Sequence, residues 1–151
     1  MSKKLTHYTI RLKKYSTMIS KVIYKGGLRT EATHLKSGNI IITDAPCDNQ
    51  GKGEAFSPTD LAATSLASCM LTVMGIKANE MNLKIEGTSA EIEKIMTSQP
   101  RRIGQINIMI KLPIKVDKKT REIIERVAMT CPVDMSLSID VKREIKFQWL
   151  S

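Results

Sequence analysis

The sequence predicts an α+β fold in a single domain, with antiparallel strands gathered around two helices. Three observations carry that reading. The chain has 151 residues, one domain's worth of polypeptide. Strand-like alternation fills its first third and returns after residue 82. Two helical segments interrupt the strands instead of alternating with them one for one, which argues against a wound parallel sheet.

The elements follow in order. Tyr8, Ile10 and Leu12 alternate with Thr9, Arg11 and Lys13, which predicts a first strand. Residues 18–24 read as a second, and Gly26-Gly27 as a turn. Residues 28–35 and 39–43 continue the pattern, split by Ser37-Gly38, giving an antiparallel meander of three or four strands. Residues 44–56, DAPCDNQGKGEAF, are loop. Ser57-Pro58-Thr59-Asp60 then supplies a hydroxyl cap, a proline for the first helical position and a carboxylate at the third, a variant of the capping box. The segment that follows, LAATSLASCMLTVMGIKANEM, predicts a helix of about 20 residues and about 30 Å. It is apolar on nearly all sides, so it is expected to be central and mostly buried.

Residues 83–86 lead into a strand running toward Met96, and Ile106, Ile108, Ile110 and Leu112 mark its partner. The two are expected to join near Gln99-Pro100-Arg101-Arg102. Asp117 is placed to cap a second helix over 118–129, with Ile123, Ile124, Val127 and Ala128 inward. Cys131-Pro132 interrupts it, and a last strand spans roughly 138–149. The expected order is ββββ-α-ββ-α-β.

Composition excludes several classes. With 42% hydrophobic and 26% charged residues the chain is an ordinary globular one, not disordered, collagenous or coiled coil. No uninterrupted apolar run reaches the roughly 18 residues of a bilayer span, so no membrane partner is expected. The first residues lack the apolar stretch of a secretory signal, and the expected location is cytoplasmic. The net charge is +9, and residues 1–36 hold nine basic side chains against Glu31 alone. Such a patch suits phosphates, but aromatics are only 4% and no finger, RNP-like or GxxG pattern occurs. A solvated strand face is the expected reading, and nucleic acid is not the expected partner.

Chemistry concentrates on cysteine. Cys47, Cys69 and Cys131 are too few for a disulfide framework, which leaves free or redox-active thiols. Cys69 lies in the long helix on the side of Ser65 and Thr72. A cysteine there is most often a small hydrophobe. Cys131 precedes Pro132 at the expected cap of a short turn, where free N–H groups favour a thiolate, with the charge of Asp134 opposing. Packing and chemistry are equally good readings of it. A reactive pair also needs a cation; Arg29 is a candidate, and equally a solvated strand arginine. His7 and His34 read as surface residues, and Cys47 as incidental loop. Without CxxC or HExxH no zinc site is expected, and Gly51-Lys52-Gly53 lacks the P-loop frame.

Gly53-x-x-Phe56-Ser57-Pro58-Thr59-Asp60-Leu61 followed by Ala67-Ser68-Cys69, with Cys131-Pro132-Val133 and Ser136-Leu137 62 positions after the first cysteine, resembles the OsmC/Ohr family over essentially the whole chain. The resemblance implies an intertwined homodimer, two long central helices wrapped by strands, with sites at the subunit interface. It implies reduction of organic hydroperoxides. Cys69 would attack the peroxide, Cys131 would resolve the sulfenic acid to a disulfide, and an external dithiol, with no bound cofactor, would restore both. Arg29 matches the family arginine that activates the thiolate, one residue out of register because Leu28 intervenes. Phe56, Met70 and Met74 would supply an apolar wall for the substrate, or simply core. The chain departs from the peroxidase branch at Thr59, where that branch carries the glutamate that pairs with the arginine; Glu54 and Asp60 are the nearby carboxylates. That departure motivates an alternative: a non-catalytic dimer binding an apolar small molecule or partner at its interface pocket.

Overall fold

The computed structural model describes residues 18–150; the strand expected over 8–13, and His7, lie outside them. Three strands come first: β1 (Ser20–Gly26), β2 (Arg29–His34) and β3 (Ile40–Asp44), an antiparallel meander. The first turn is Gly27-Leu28, one residue later than expected, with Gly26 still paired to Arg29. Gly26, Gly27 and Leu28 all have positive φ, and the Leu28 N–H is held by the Tyr24 hydroxyl at 3.3 Å. That turn sets Arg29 at the start of β2, directly opposite Asp44 in the register.

The helix α1 (Pro58–Glu80) begins as its sequence dictates. The Ser57 hydroxyl accepts the Asp60 N–H at 3.1 Å, and the Asp60 carboxylate accepts the Ser57 N–H at 2.8 Å. Ser57→Ala is expected to lower stability by about 1 kcal/mol, read from the denaturant midpoint at unchanged slope. The helix is buried on one stripe only: Ala63, Leu66, Ala67, Met70, Met74 and Ala78. Ser65, Ser68, Thr72 and Ile76 are exposed, so the expectation of a mostly buried helix does not hold within one chain. By length and composition α1 is also apolar enough to cross a bilayer. Counting uninterrupted apolar residues missed this, because scattered serine, threonine and glycine barely lower its mean hydropathy. Its buried stripe is that of a core helix.

A second sheet follows. The strand β4 (Ser89–Ser98) pairs antiparallel with β5 (Arg101–Leu112). The helices α2 (Lys118–Ala128) and α3 (Pro132–Ser136) then carry the chain back to β6 (Lys142–Trp149), which pairs with β5 in parallel. The all-antiparallel expectation fails here, because a helical crossover returns the chain to the same end of the sheet. Ile106, Ile108, Ile110 and Leu112 of β5 meet the stripe of α1, with Ile124 and Ala128 of α2 alongside. The sheet β1–β2–β3 packs only marginally on the rest of the described chain. Val22, Ile41 and Ile42 are each more than two fifths exposed.

Candidate active site

The two cysteines singled out in the sequence are brought together. Cys69, half-buried, comes from the middle of α1. Cys131 is fully buried where α2 ends and α3 begins. It caps α3 with its sulfur, which accepts the Asp134 N–H at 3.3 Å. Pro132 occupies the next position, where its missing N–H costs no bond.

Of the two readings left open for Cys131, packing and a thiolate at the cap, the structure favours packing. Burial pushes the Cys131 thiol above its ordinary 9.0, and the neighbouring Cys69 thiol and the Asp134 charge add to that. The single N–H of Asp134 works the other way and does not prevail. A five-residue helix offers a weak dipole, whereas full burial penalises any charge on sulfur. Burial therefore favours the neutral thiol of Cys131 over its thiolate. Its folded value lies above its unfolded one, so its contribution to stability is complete below pH 9.0 and is lost as pH rises through the folded value.

Arg29 lies in the other sheet. Its Nε and Nη2 donate to the two oxygens of Asp44, each at 2.7 Å, and Nη2 also donates to Glu54 at 2.8 Å. Asp44 is almost completely buried, and it also accepts the Glu54 backbone N–H at 3.1 Å. Arg29 holds the Asp44 carboxyl below its usual range, and the two carboxylates raise the guanidinium in turn. None of the Arg29 hydrogen bonds goes to either cysteine.

The position of the missing glutamate is occupied in another way. Lys94 of β4 donates to the Thr59 hydroxyl at 2.7 Å, to Asp60 at 2.6 Å and to Ser57 at 3.3 Å. Its side chain is 14% exposed. Asp60 is thus committed to Lys94, and of the two nearby carboxylates it is Glu54 that reaches Arg29. Sequence reasoning missed Asp44 and Lys94. The register of the β2–β3 hairpin was the signal for Asp44. For Lys94 it was a lysine falling in phase with Ala90, Ile92 and Met96 on the inward side of β4.

The substrate-wall residues separate. Phe56, half-exposed, borders a cavity of about 460 Å³ with Ala63, Thr64, Ile92 and Lys94. Met70 and Met74 are fully buried in the core. Cys47 is exposed, its thiol on the Lys52 carbonyl at 3.3 Å, and His34 is an exposed residue bonded to Ser37.

A family model described as OsmC-like protein matches residues 51–146. A Psychrobacter arcticus 273-4 protein named for an osmotic stress induced and detoxification response is 52% identical over 91% of this chain and 100% of its own, with a TM-score of 0.87. An organic hydroperoxide resistance protein OsmC from Legionella pneumophila superposes with a TM-score of 0.71 at 16% identity, covering 90% of this chain and 99% of that one. A Vibrio cholerae protein named for organic hydroperoxide resistance gives 0.65 at 16%, covering 91% and 96%. At those identities the last two show the fold alone. No curated protein matches the chain. The motif, the element order and these likenesses agree, and the chain belongs to the OsmC-like protein family.

Proposed function

We propose that this protein reduces organic hydroperoxides through a cycle of Cys69 and Cys131, in a role that protects against peroxide stress. The observation that carries the reading is the meeting of the two thiols, 62 positions apart in sequence, at the junction of α1 and α3. The Cys69 thiolate attacks the O–O bond, an S–O bond forms, and the alkoxide leaves and takes up a proton as the alcohol. The sulfur is oxidised by two electrons and the peroxide reduced by two. Cys131 condenses with the sulfenic acid, releasing water and closing a disulfide. An external dithiol then returns both thiols by exchange.

The working unit is a homodimer in this reading. The sheet β1–β2–β3, with its exposed Val22, Ile41 and Ile42, packs only marginally on the other described residues and is suited to cover a second copy. Arg29 sits on that sheet, so docking offers a route for the guanidinium of one copy to the thiols of the other. Glu54 and Asp44 take the part of the family glutamate in holding it. Phe56 provides apolar wall for the alkyl group.

The test is a thiol count after one equivalent of cumene hydroperoxide. The parent is expected to lose two thiols rapidly. Cys131→Ser is expected to stop at a sulfenic acid on Cys69 that dimedone traps. Slow, equal oxidation of both proteins would leave a non-catalytic dimer that binds an apolar molecule at its interface as the better reading.

A further inference from the structure

Behind the two thiols lies an ion pair that the two-cysteine cycle does not use. Asp134, in α3, is 8% exposed, and its Oδ1 lies 3.0 Å from Nε of Arg143 in β6. Arg143 is itself fixed: its Nη1 donates to the backbone carbonyls of Ser138 at 2.9 Å and Val141 at 2.7 Å. The guanidinium thereby ties α3 to the loop that leads into β6. Asp134 Oδ1 is buried with no hydrogen bond, because the Nε–H does not point at it. Buried carboxylate oxygens without a hydrogen bond are uncommon and costly, and this one is held by charge alone.

The same residue reaches the sulfur. The Asp134 N–H is the donor to Cys131 Sγ, and its carboxylate acts on that thiol through its charge. The amide fixes where the sulfur sits, while the negative charge opposes a second one beside it. The titratable groups that act on Cys131 are Cys69 from α1 and Asp134 from α3, with Arg143 of β6 behind Asp134. From α2, Glu125 is turned away to the Trp149 indole at 2.7 Å.

Resting on the two-cysteine reading, we propose that Asp134, held by Arg143, is a positioning residue that fixes the buried Cys131 sulfur at the cap of α3, so that Cys69 alone meets the peroxide. Cys131 enters only at resolution. There its S–H bond breaks and the S–S bond forms. The S–O bond on Cys69 breaks, and the departing hydroxide leaves as water with the thiol proton. Formally the Cys131 sulfur loses one electron and the Cys69 sulfur regains one, so no further oxidant is needed. In this proposal burial sets most of the division of labour between the cysteines, and the Asp134 charge adds to it.

The experiment is an ultraviolet thiolate titration in a Cys47→Ser/Cys69→Ser background, where Cys131 is the one thiol left. Asp134→Asn keeps the amide and removes the charge, and is expected to lower the midpoint by about half a pH unit. Arg143→Gln leaves the carboxylate uncompensated, and is expected to raise it. Opposite directions are the signature, since mere loosening of the packing admits water and lowers the midpoint in both variants. Two downward shifts, or no shift in either, would overturn the proposal. Should Arg143→Gln fail to fold, Arg143→Lys keeps the charge and is expected to hold the midpoint near the parent's; a drop equal to that of Asp134→Asn would count against the pair. No peroxide enters this titration, so it fails separately from the thiol count that tests the cycle.

Discussion

Cys69→Ser is expected to slow hydroperoxide reduction by about 10⁴-fold or more, because a hydroxyl at neutral pH has no comparable nucleophile to offer. Arg29→Gln is expected to cost about 10²-fold, the usual effect of losing one preorganised charge at a reacting group. Asp44→Asn belongs between parent and Arg29→Gln. It leaves the arginine in place but replaces a charged two-point grip by a neutral one, with an expected loss of roughly tenfold. Initial rates with cumene hydroperoxide and a dithiol reductant read all three. An Arg29→Gln enzyme as fast as the parent would remove the arginine from the mechanism and leave its pairs structural. The Arg29–Asp44 pair also has a pH sign. The Asp44 carboxyl lies below its ordinary 3.8 when folded, so the pair stabilises fully above that value and is lost as pH falls through the folded one. The pair therefore gives no pH dependence near neutrality.

Leu66→Ala is expected to destabilise the fold by about 3 kcal/mol or more. Leu66 is fully buried on the stripe of α1 that meets the second sheet and α2. Truncation removes buried methylene surface and leaves a cavity, and the surrounding isoleucines are too stiff at χ1 to collapse into it. The same change at Ile76, which is 57% exposed, is expected to cost far less in the isolated chain. A denaturant midpoint that falls equally for Leu66→Ala and Ile76→Ala would instead mean that the exposed face of α1 is covered in solution.

The parts of this molecule that follow local rules were legible. Ser57, Pro58 and Asp60 announced the start of α1, Asp117 that of α2, and Cys131-Pro132 that of α3. Each of these motifs acts over three or four residues. The alternation of Ile106, Ile108, Ile110 and Leu112 gave the inward face of β5. The failures involve pairings between distant elements. The direction of β6 depends on where a crossover returns the chain. The partner of Asp60 comes from 34 positions away on β4, and a strand pattern does not say which helix cap a given lysine will meet. The state of Cys131 stayed open between two readings because a cap position is visible in the sequence and complete burial is not. Met70 and Met74 were offered for two roles, and only the fold separates the core side of α1 from its outer side.

The exposed face of the sheet β1–β2–β3 bears on how the protein is made. Residues 18–44 are synthesised before α1 exists, and they carry VIY and III within β-branched runs, the composition from which intermolecular strand stacking starts. Among the described residues these strands find little to dock against. Lys21, Lys25, Arg29 and Lys36 punctuate or flank those runs, and charges so placed act as gatekeepers against strand-to-strand association between chains. The positive front of the molecule, which first invited thoughts of phosphate, thus has a sufficient reason in solubility: it keeps growing chains apart until each has a folded surface to offer another.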